Sequence, residues 1–561
     1  MPILLTQSIP RPGRPLLVGL LAVWLAWGSV AWGGEGESPA RRRVPGEGDA
    51  VARRLSELED QLGRVTRENQ RLSAEVRALQ QTQPAHRSQA RHRVEDEDDR
   101  DSVIPAAAWQ SEIPPETPAE SVDAMASEAL WPGSSGVATG AGEDAFTTPA
   151  EATWCQRDIG HSATRPQGWH VGYDNGFVME PGSNAESPFS LKINNQTMFR
   201  YAGFLRDVET WTDSAGVVQP VNDFSNFQIP RGRLSFSGGA LVPDLSYQVI
   251  IDYNTVTSTP IGFRAYLLSY EFSEALAVHV GQNKVPGTRE WLTSAFAVQG
   301  TDRSMATTFF RPSLSQGIWI TGRVWEDVQY HAMLSNGFNT SNLPARDLNV
   351  YPCWSGSVWW EPWGAFGKDS SDLQWHEQPA IRVGTSQTFA HDRGSQANSY
   401  APENSLLRLS DGTVITNPGA LAPGVTLTDY TVLLSAFDLG WKYQGLSLLG
   451  ELYLQTLGSL GGNGPLPISS TQAAGGYLQG GVFVLPREFE FYGRGSVVAG
   501  DYGTGGEYAG GFNWFPLLGK DNLRVTTDLA YVLRSPADQN RTNYVAGYTG
   551  WLLRAQVSTS F

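Results

Sequence analysis

The sequence predicts an all-β fold: a transmembrane antiparallel β-barrel of about 16 strands, preceded by an α-helical coiled-coil segment and a disordered linker. The first observation is composition: the 561 residues include 60 Gly, 19 Trp, 19 Tyr and 23 Phe, whereas only 17% are charged. The second is an alternation of apolar and polar residues from about residue 189 onward. The third is that no segment after the N-terminal region approaches the ~18 apolar residues of a membrane-spanning helix.

The N-terminal segment is typical of a secretory signal. Arg11 and Arg14 precede an apolar run over 16–27, and small residues follow it up to Ala31. A basic region, a short apolar core and a small-residue site predict a signal peptide over 1–31. An uncleaved membrane anchor is the alternative, but the apolar run is shorter than the ~20 residues that span a bilayer.

A heptad pattern follows the signal. Its apolar positions step alternately by four and three residues: Val51, Leu55, Leu58, Leu62, Val65, Leu72, Val76 and Leu79. This spacing predicts a left-handed coiled coil over 51–81, with Asn69 at a core position that fixes the register. The alternative is a lone amphipathic helix on a globular body. The mixed core residues do not decide between a dimer and a trimer.

Residues 82–165 lose all periodicity. They contain an acidic run over 95–101, scattered prolines and a Gly/Ser/Ala stretch over 133–142. Such a composition cannot bury enough apolar surface to order itself, so a disordered linker is predicted. The acidic run lacks the spacing and the loop glycine of a calcium-binding EF-hand. The barrel domain is therefore predicted over 166–561.

The final segment shows the alternation most clearly. Trp551, Leu553 and Val557 share one face, whereas Arg554 and Gln556 share the other. The apolar face is expected to meet lipid and the polar face to line the interior. Aromatic residues near strand ends are expected to form interfacial girdles: Trp359, Trp360, Trp363, Trp514, Phe515 and Trp551.

About sixteen such segments recur, and an even number of ~10-residue strands is typical of outer-membrane barrels. They lie near 190–206, 226–238, 244–254, 262–272, 275–284, 316–325, 327–337, 354–363, 378–390, 428–440, 441–457, 472–485, 488–500, 506–516, 521–534 and 548–561. Tight turns are predicted at Gly440–Trp441, Pro486–Arg487 and Leu518–Asp521, and long loops at 391–427, 458–471 and 535–547. The alternative is a secreted soluble β protein whose aromatic residues fill a core.

An ordered series of motifs carries a family resemblance. The motifs lie at 227–238, 245–253, 265–272, 278–286, 289–294, 302–304, 310–312, 317–322, 330–338, 510–515 and 522–532. On these residues the chain resembles the phosphate-selective porin O and P family, over roughly 189–561 and most closely over 227–338. The resemblance implies a sixteen-stranded outer-membrane barrel, usually trimeric, that passes small anions.

The resemblance also suggests a pore lining. It places Arg231 and Arg233 on one face of the wall, and the two-residue alternation along a strand independently gives the same result. The segment 284–315 resembles the inward-folded constriction loop of the family. The candidate anion-contacting residues are Arg231, Arg233, Lys284, Arg289, Arg303 and Arg311, with Glu290 and Asp302 as acidic counterparts. Rings of arginine and lysine in a narrow pore favour anions. The alternative for each arginine is a wall charge paired with a carboxylate such as Asp252.

Lysine is scarce in the predicted barrel. After residue 165 the lysines are Lys192, Lys284, Lys368, Lys442 and Lys520. A lysine-rich central site is therefore not evident, and the family name does not identify the solute.

Composition and motifs exclude several function classes. The net charge of -16 disfavours nucleic acid as a partner. No G-x-S-x-G, H-E-x-x-H or P-loop motif occurs, so no enzyme and no cofactor are predicted. His279 and His331 fall in strand segments, and the two cysteines, Cys155 and Cys353, are too few for a disulfide scaffold or a cysteine zinc site. No metal site is predicted.

The predicted function is therefore passive diffusion of small hydrophilic solutes, in particular anions such as phosphate, through a water-filled channel. The expected location is the cell outer membrane, with its lipid around the barrel and the coiled coil in the periplasm. The expected assembly is a homotrimer. The alternative is a structural anchor that contacts the cell wall through the coiled coil.

Overall fold

A computed structural model describes residues 169–182, 189–257, 260–325, 327–341, 348, 351–393 and 407–561. The predicted signal peptide, coiled coil and linker lie outside the described residues and stay predictions. Within the described part of the chain, regular structure is almost entirely β, with two short helices, α1 (Arg289–Leu292) and α2 (Met305–Phe310).

The described residues form twenty strands. In chain order they are β1 (Trp169–Tyr173), β2 (Phe177–Pro181), β3 (Leu191–Arg206), β4 (Thr210–Thr212), β5 (Val218–Pro220), β6 (Phe224–Ala240), β7 (Val242–Tyr253), β8 (Ile261–Ser273), β9 (Leu276–Lys284), β10 (Leu314–Trp325), β11 (Val328–Ser335), β12 (Cys353–Trp360), β13 (Ala380–Arg393), β14 (Leu427–Tyr443), β15 (Leu446–Gly462), β16 (Thr471–Leu485), β17 (Phe489–Gly500), β18 (Gly503–Trp514), β19 (Leu523–Leu533) and β20 (Gly550–Ser560).

Sixteen of these strands, β3 and β6 to β20, form a closed antiparallel barrel. Each pairs with the next along the chain, and the ring closes where β20 pairs with β3, from Gly550 opposite Arg206 to Ser560 opposite Gln196. The predicted number of strands is confirmed, and each predicted segment overlaps a barrel strand, although the segment 441–457 also includes the end of β14. The strands β1 and β2 form a hairpin that continues along the start of β3, and β4 and β5 form a separate hairpin. These four strands were not predicted, because each is too short to show an alternation of apolar and polar residues.

The two ends of the barrel differ in their connections. At one end the chain reverses within a few residues, as between β6 and β7, β8 and β9, and β14 and β15. At the other end it makes long excursions, including 207–223, 285–313, 394–426 and 534–549. In outer-membrane barrels the short turns face the periplasm and the long loops face the exterior. We call these ends the turn side and the loop side.

One predicted turn is wrong. Gly440 and Trp441 lie inside β14, and the chain reverses at Gln444 and Gly445, whose φ angles are 47° and 81°. Glycine at 440 serves close packing instead, because a Cβ atom there would lie 2.5 Å from the ring of Phe366. The turns predicted at Pro486–Arg487 and Leu518–Asp521 do lie between consecutive strands.

The two faces of the barrel wall have the predicted character. In β20, Trp551 and Leu553 are 46% and 41% exposed, whereas Leu552 and Arg554 are 0% exposed. The apolar outward face and the polar inward face of the last strand are therefore confirmed.

The prediction of an interfacial position is wrong for two of the six aromatic residues. Trp359 and Phe515 are buried, whereas Trp360 and Trp514 beside them are exposed. Trp359 points inward because consecutive residues of a strand point to opposite faces. Phe515 follows the last residue of β18 and is buried in a cluster with Leu373 and Phe483.

The barrel interior is packed with side chains from its own loops. Met305 and Phe310 of α2 are fully buried and belong to the main apolar cluster together with Tyr453 of the wall. Among the described residues, no helix is long and apolar enough to span a bilayer.

The outward face of β20 gives a test of the membrane assignment. The substitution Leu553→Arg places a charge near the middle of the lipid-facing strand and is expected to lower the free energy of unfolding by about 2–4 kcal/mol. Thr559→Arg, near the end of the same strand, is the matched control and is expected to cost about 0–1 kcal/mol. Guanidinium unfolding in lipid vesicles measures both, and equal costs would contradict the assignment.

Candidate functional site: the inward loop

The connection between β9 and β10, residues 285–313, folds into the barrel, and we call it the inward loop. Almost all of its residues are buried. It contacts walls that are distant from β9 and β10 in the ring: Thr301 donates its hydroxyl to Asp528 of β19 at 2.7 Å, and Met305 donates its N–H to Glu507 of β18 at 2.9 Å. The loop therefore crosses the lumen.

Carboxylates of the wall hold the start of each helix in this loop. Glu451 of β15 accepts the N–H groups of Arg289 and Glu290 at 2.5 and 2.9 Å. Glu507 and the hydroxyl of Ser496 accept the first two N–H groups of α2. Helix N-termini leave such groups without partners inside the helix. The wall thus supplies caps in addition to Ser304 of the loop, which accepts the N–H of Thr307, and these contacts hold the loop in place.

Asp302 fastens the loop to β3 and β6 of the wall through two arginines. Its carboxylate lies 2.9 Å from Arg200 and 2.5 Å from Arg231, and all three side chains are at most 1% exposed. Burial alone would raise the pKa of the Asp302 carboxyl, but Arg231 and Arg200 outweigh it and hold that pKa below its ordinary value. Asp302 is therefore charged at neutral pH.

A second carboxylate, Asp252 of β7, also holds two arginines. It lies 2.5 Å from Arg541 and 3.8 Å from Arg233. The alternative that the sequence left open, an arginine paired with Asp252, thus describes Arg233. The period-two pattern of β3 could have placed Arg200 on the inward face, but nothing in the sequence signals Arg541, because it lies in the irregular connection 534–549.

Lys284 and Arg303 hold the end of α1. The ammonium group of Lys284 donates to the carbonyls of Leu292 and Thr293 at 2.9 and 3.2 Å, and also to the carbonyl of Trp291. Arg303 donates to the carbonyls of Glu290 and Thr293 at 2.9 and 2.5 Å. Both cations therefore shape the loop through direct hydrogen bonds.

Trp291 lies among three cations. Its ring centroid is 5.0 Å from Lys284, 5.1 Å from Arg303 and 4.4 Å from Arg311. A tryptophan face attracts cations at these distances. The ring thus helps to hold three positive charges near one another in a small volume.

Five of the six predicted site residues lie on one side of the lumen. Lys284 is within electrostatic range of Arg231, Arg233, Arg264 and Arg311. Arg303 joins them through Trp291. Together with the arginines that Asp302 and Asp252 hold, they form the basic side: Arg200, Arg231, Arg233, Arg264, Lys284, Arg303, Arg311 and Arg541, all buried.

Arg289 lies apart from the other five. Its guanidinium stacks 4.1 Å from the ring of Trp359, donates to Ser357 at 3.0 Å and lies 3.5 Å from Asp438. Its surroundings mix buried carboxylates with further cations: Asp438, Glu361, Glu451, Arg382 and Lys442. The inward loop thus runs between the basic side and a side on which carboxylates and cations are mixed.

A family model matches this part of the chain. Residues 208–342 match the model of the family described as phosphate-selective porin O and P. The resemblance is confirmed over these residues, which include β6 to β11 and the whole inward loop. The comparison with curated proteins gave no match.

Solved structures of outer-membrane proteins also resemble the chain. The anion-selective porin from Comamonas acidovorans is 12% identical, with a TM-score of 0.39, and covers 66% of this chain and 100% of its own. The channel DcaP of Acinetobacter baumannii is 11% identical, with a TM-score of 0.40, over 67% and 99%. The trimer form of OmpT of Vibrio cholerae is 10% identical, with a TM-score of 0.41, over 66% and 99%.

The closed antiparallel barrel with an apolar outer face has the architecture of an outer-membrane barrel protein, and the family match over residues 208–342 supports a channel of the porin type. The architecture rests on the strand pairing of this chain rather than on the distant structures. All six predicted site residues lie in the part of the chain that the family model matches.

The pairing around Asp302 predicts a large effect on stability. Asp302→Ala leaves Arg200 and Arg231 buried without their shared carboxylate and is expected to lower the free energy of unfolding by about 3–5 kcal/mol. Asp223→Ala removes one partner of the exposed pair with Arg206 and is expected to cost at most about 1 kcal/mol. Chemical unfolding compares them, and similar losses would show that the arginines do not need Asp302.

The pKa of Asp302 also predicts a pH dependence. A carboxyl whose pKa is lower in the folded state stabilises the fold above its unfolded pKa of about 3.9, and this contribution is lost as the pH falls. Asp302→Asn is expected to remove that part of the acid dependence. Unfolding measured between about pH 3 and pH 7 tests this, and identical slopes for both proteins would contradict it.

Proposed function

We propose that this protein is an outer-membrane porin through which small hydrophilic solutes diffuse passively, with a preference for small anions such as phosphate. The observation that carries the proposal is the basic side, where eight buried cations lie around the inward loop with Asp252 and Asp302 as their paired carboxylates.

An excess of positive charge supports a preference for anions. An anion that loses part of its hydration shell in a narrow pore needs hydrogen-bond donors and a positive potential. Arginine supplies both, and its planar fork fits the oxygens of phosphate or a carboxylate. Asp302 and Asp252 reduce the excess without removing it, because each is shared by two arginines.

The pairing of the interior charges supports passive transport over tight binding. Asp302 and Asp252 each engage two cations of the basic side, so a passing anion competes with a carboxylate for the same donors. A channel requires binding weak enough for release. Under this proposal the cations steer anions past the inward loop and do not retain them.

The assembly and location of the N-terminal part belong to the same proposal. The start of β3 lies on the turn side, where Asn195 exchanges backbone hydrogen bonds with the C-terminal Phe561, and β2 pairs with this same part of β3. The chain therefore enters the barrel from the side that faces the periplasm. With the signal peptide removed, the coiled coil at 51–81 would lie in the periplasm, where a three-stranded form would match a homotrimer.

Ion selectivity tests the proposal. The double variant Arg231→Ala, Arg233→Ala is expected to lower the anion-to-cation permeability ratio at least about twofold, because two cations leave the basic side while Asp302 and Asp252 remain. Arg393→Ala, at the exposed loop-side end of β13, is the matched control and should leave the ratio unchanged. Reversal potentials in planar bilayers under a salt gradient measure it.

Three outcomes would count against the proposal in different ways. A purified, folded barrel that never conducts would contradict the channel itself. A wild-type protein without anion preference would contradict the role of the basic side. An unchanged ratio in the double variant would remove Arg231 and Arg233 from the lining.

A further inference from the structure

The connection between β12 and β13, residues 361–379, is unusually long for the turn side, where the other connections between barrel strands are shorter. Although it leaves the barrel strands, its Phe366 and Asp372 are completely buried. We call this segment the turn-side strap.

The turn-side strap contacts strands that are far apart in the ring. Lys442 of β14 donates to the carbonyls of Phe366 and Asp369 at 2.9 and 2.6 Å. Further along, Ser371 donates to Glu490 of β17 at 2.6 Å. Lys368 lies 2.8 Å from the carboxylate of Asp521, just before β19. A segment that starts at β12 reaches these partners by crossing the mouth of the barrel.

Phe366 anchors the strap between two cations of the wall. Its ring centroid lies 4.3 Å from Arg382 and 4.3 Å from Lys442. The missing side chain at Gly440 leaves room for the ring, since a Cβ atom there would lie 2.5 Å from it. Cation–π contacts in a desolvated place stabilise such an arrangement.

Internal hydrogen bonds keep the strap compact. Asp372 accepts the N–H of Gly445 at 2.7 Å and bonds the ring of His376. The other ring nitrogen of His376 lies 3.0 Å from the carbonyl of Ala365. The strap is therefore tied both to itself and to the turn between β14 and β15.

The turn-side strap also meets the inward loop. The N–H of Ser370 donates to the carbonyl of Ala297 at 2.8 Å. Asn513 of β18 donates to the carbonyl of Gln299 and to the carboxylate of Glu490, both at 2.8 Å. Glu490 is in turn the acceptor for Ser371 of the strap. The two inward segments are thus joined directly and through a shared wall residue.

We propose that the turn-side strap forms a second constriction in series with the inward loop and sets the size limit for solutes. This inference rests on the proposed channel function. The electrical resistances of two constrictions in one channel add, and the narrower constriction excludes large solutes. The eight cations of the basic side lie on the inward loop, the wall and the connection 534–549, and none lies on the strap, so charge selection and size selection are assigned to different segments of the chain.

The test shortens the strap and measures size selection separately from charge selection. In the first variant, residues 362–379 are replaced by Gly-Asn-Gly, and single-channel conductance is expected to rise at least about twofold. Neutral oligosaccharides that the wild-type protein excludes should enter liposomes that contain the variant. The anion-to-cation ratio should stay within about a factor of two, because the basic side is intact.

Point variants cover the case in which the shortened protein fails to form a barrel. Phe366→Ala removes the buried anchor, whereas Trp363→Ala removes an aromatic ring of the same strap that is 60% exposed. Phe366→Ala is expected to raise conductance, and Trp363→Ala should behave like the wild-type protein. Equal conductance of these two variants would overturn the inference.

The outcomes separate the inference from the proposed function. If the wild-type and shortened proteins both fold and neither conducts, the channel function itself fails. If the wild-type protein conducts and the shortened protein has the same conductance and exclusion limit, the role of the strap is overturned. If the wild-type protein is silent and the shortened protein conducts, the strap closes the barrel, which overturns both the channel function of the wild-type protein and the size limit assigned to the strap.

Discussion

Closure of the sheet is the constraint on which the rest of this structure depends. A strand edge exposed to lipid would leave backbone N–H and C=O groups without partners, so a spanning sheet must pair its last strand with its first. Here β20 pairs with β3 over the full length of β20. Once the ring is closed, each strand has one face toward lipid and one toward the interior, and the alternation of residues along it becomes a division between two environments.

The many charged side chains inside the barrel must then find partners within a small volume. Around the inward loop, single carboxylates each pair with two arginines: Asp302 holds Arg200 and Arg231, and Asp252 holds Arg233 and Arg541. Sharing leaves a positive excess, which the proposed anion preference requires. The same ion pairs bind the loop to the wall, so the charges that would act on a solute also fix the shape of the loop.

The inward loop and the turn-side strap are connections between strands that are buried in the barrel and hydrogen-bonded to its wall. Wall carboxylates Glu451 and Glu507 cap the helices of the inward loop, and Lys442 caps carbonyls of the strap. In both cases the polar groups of an irregular segment find partners on inward-facing strand positions. Buried irregular backbone needs such partners, and the polar face of the wall supplies them.

The sequence by itself determined the number of strands, the faces of β20, and the inward placement of Arg231 and Arg233. The alternation of apolar and polar residues can be read locally along the chain. It is strict here because one face of each strand meets lipid. Close approaches between distant strands were decided only by the tertiary structure. Gly440 resembles a turn residue in the sequence, yet it faces the ring of Phe366, which lies 74 residues earlier in the chain. The partners of Asp302 and the path of the strap follow from ring closure, because it brings β3, β14 and β17 around one lumen and no local pattern records that geometry.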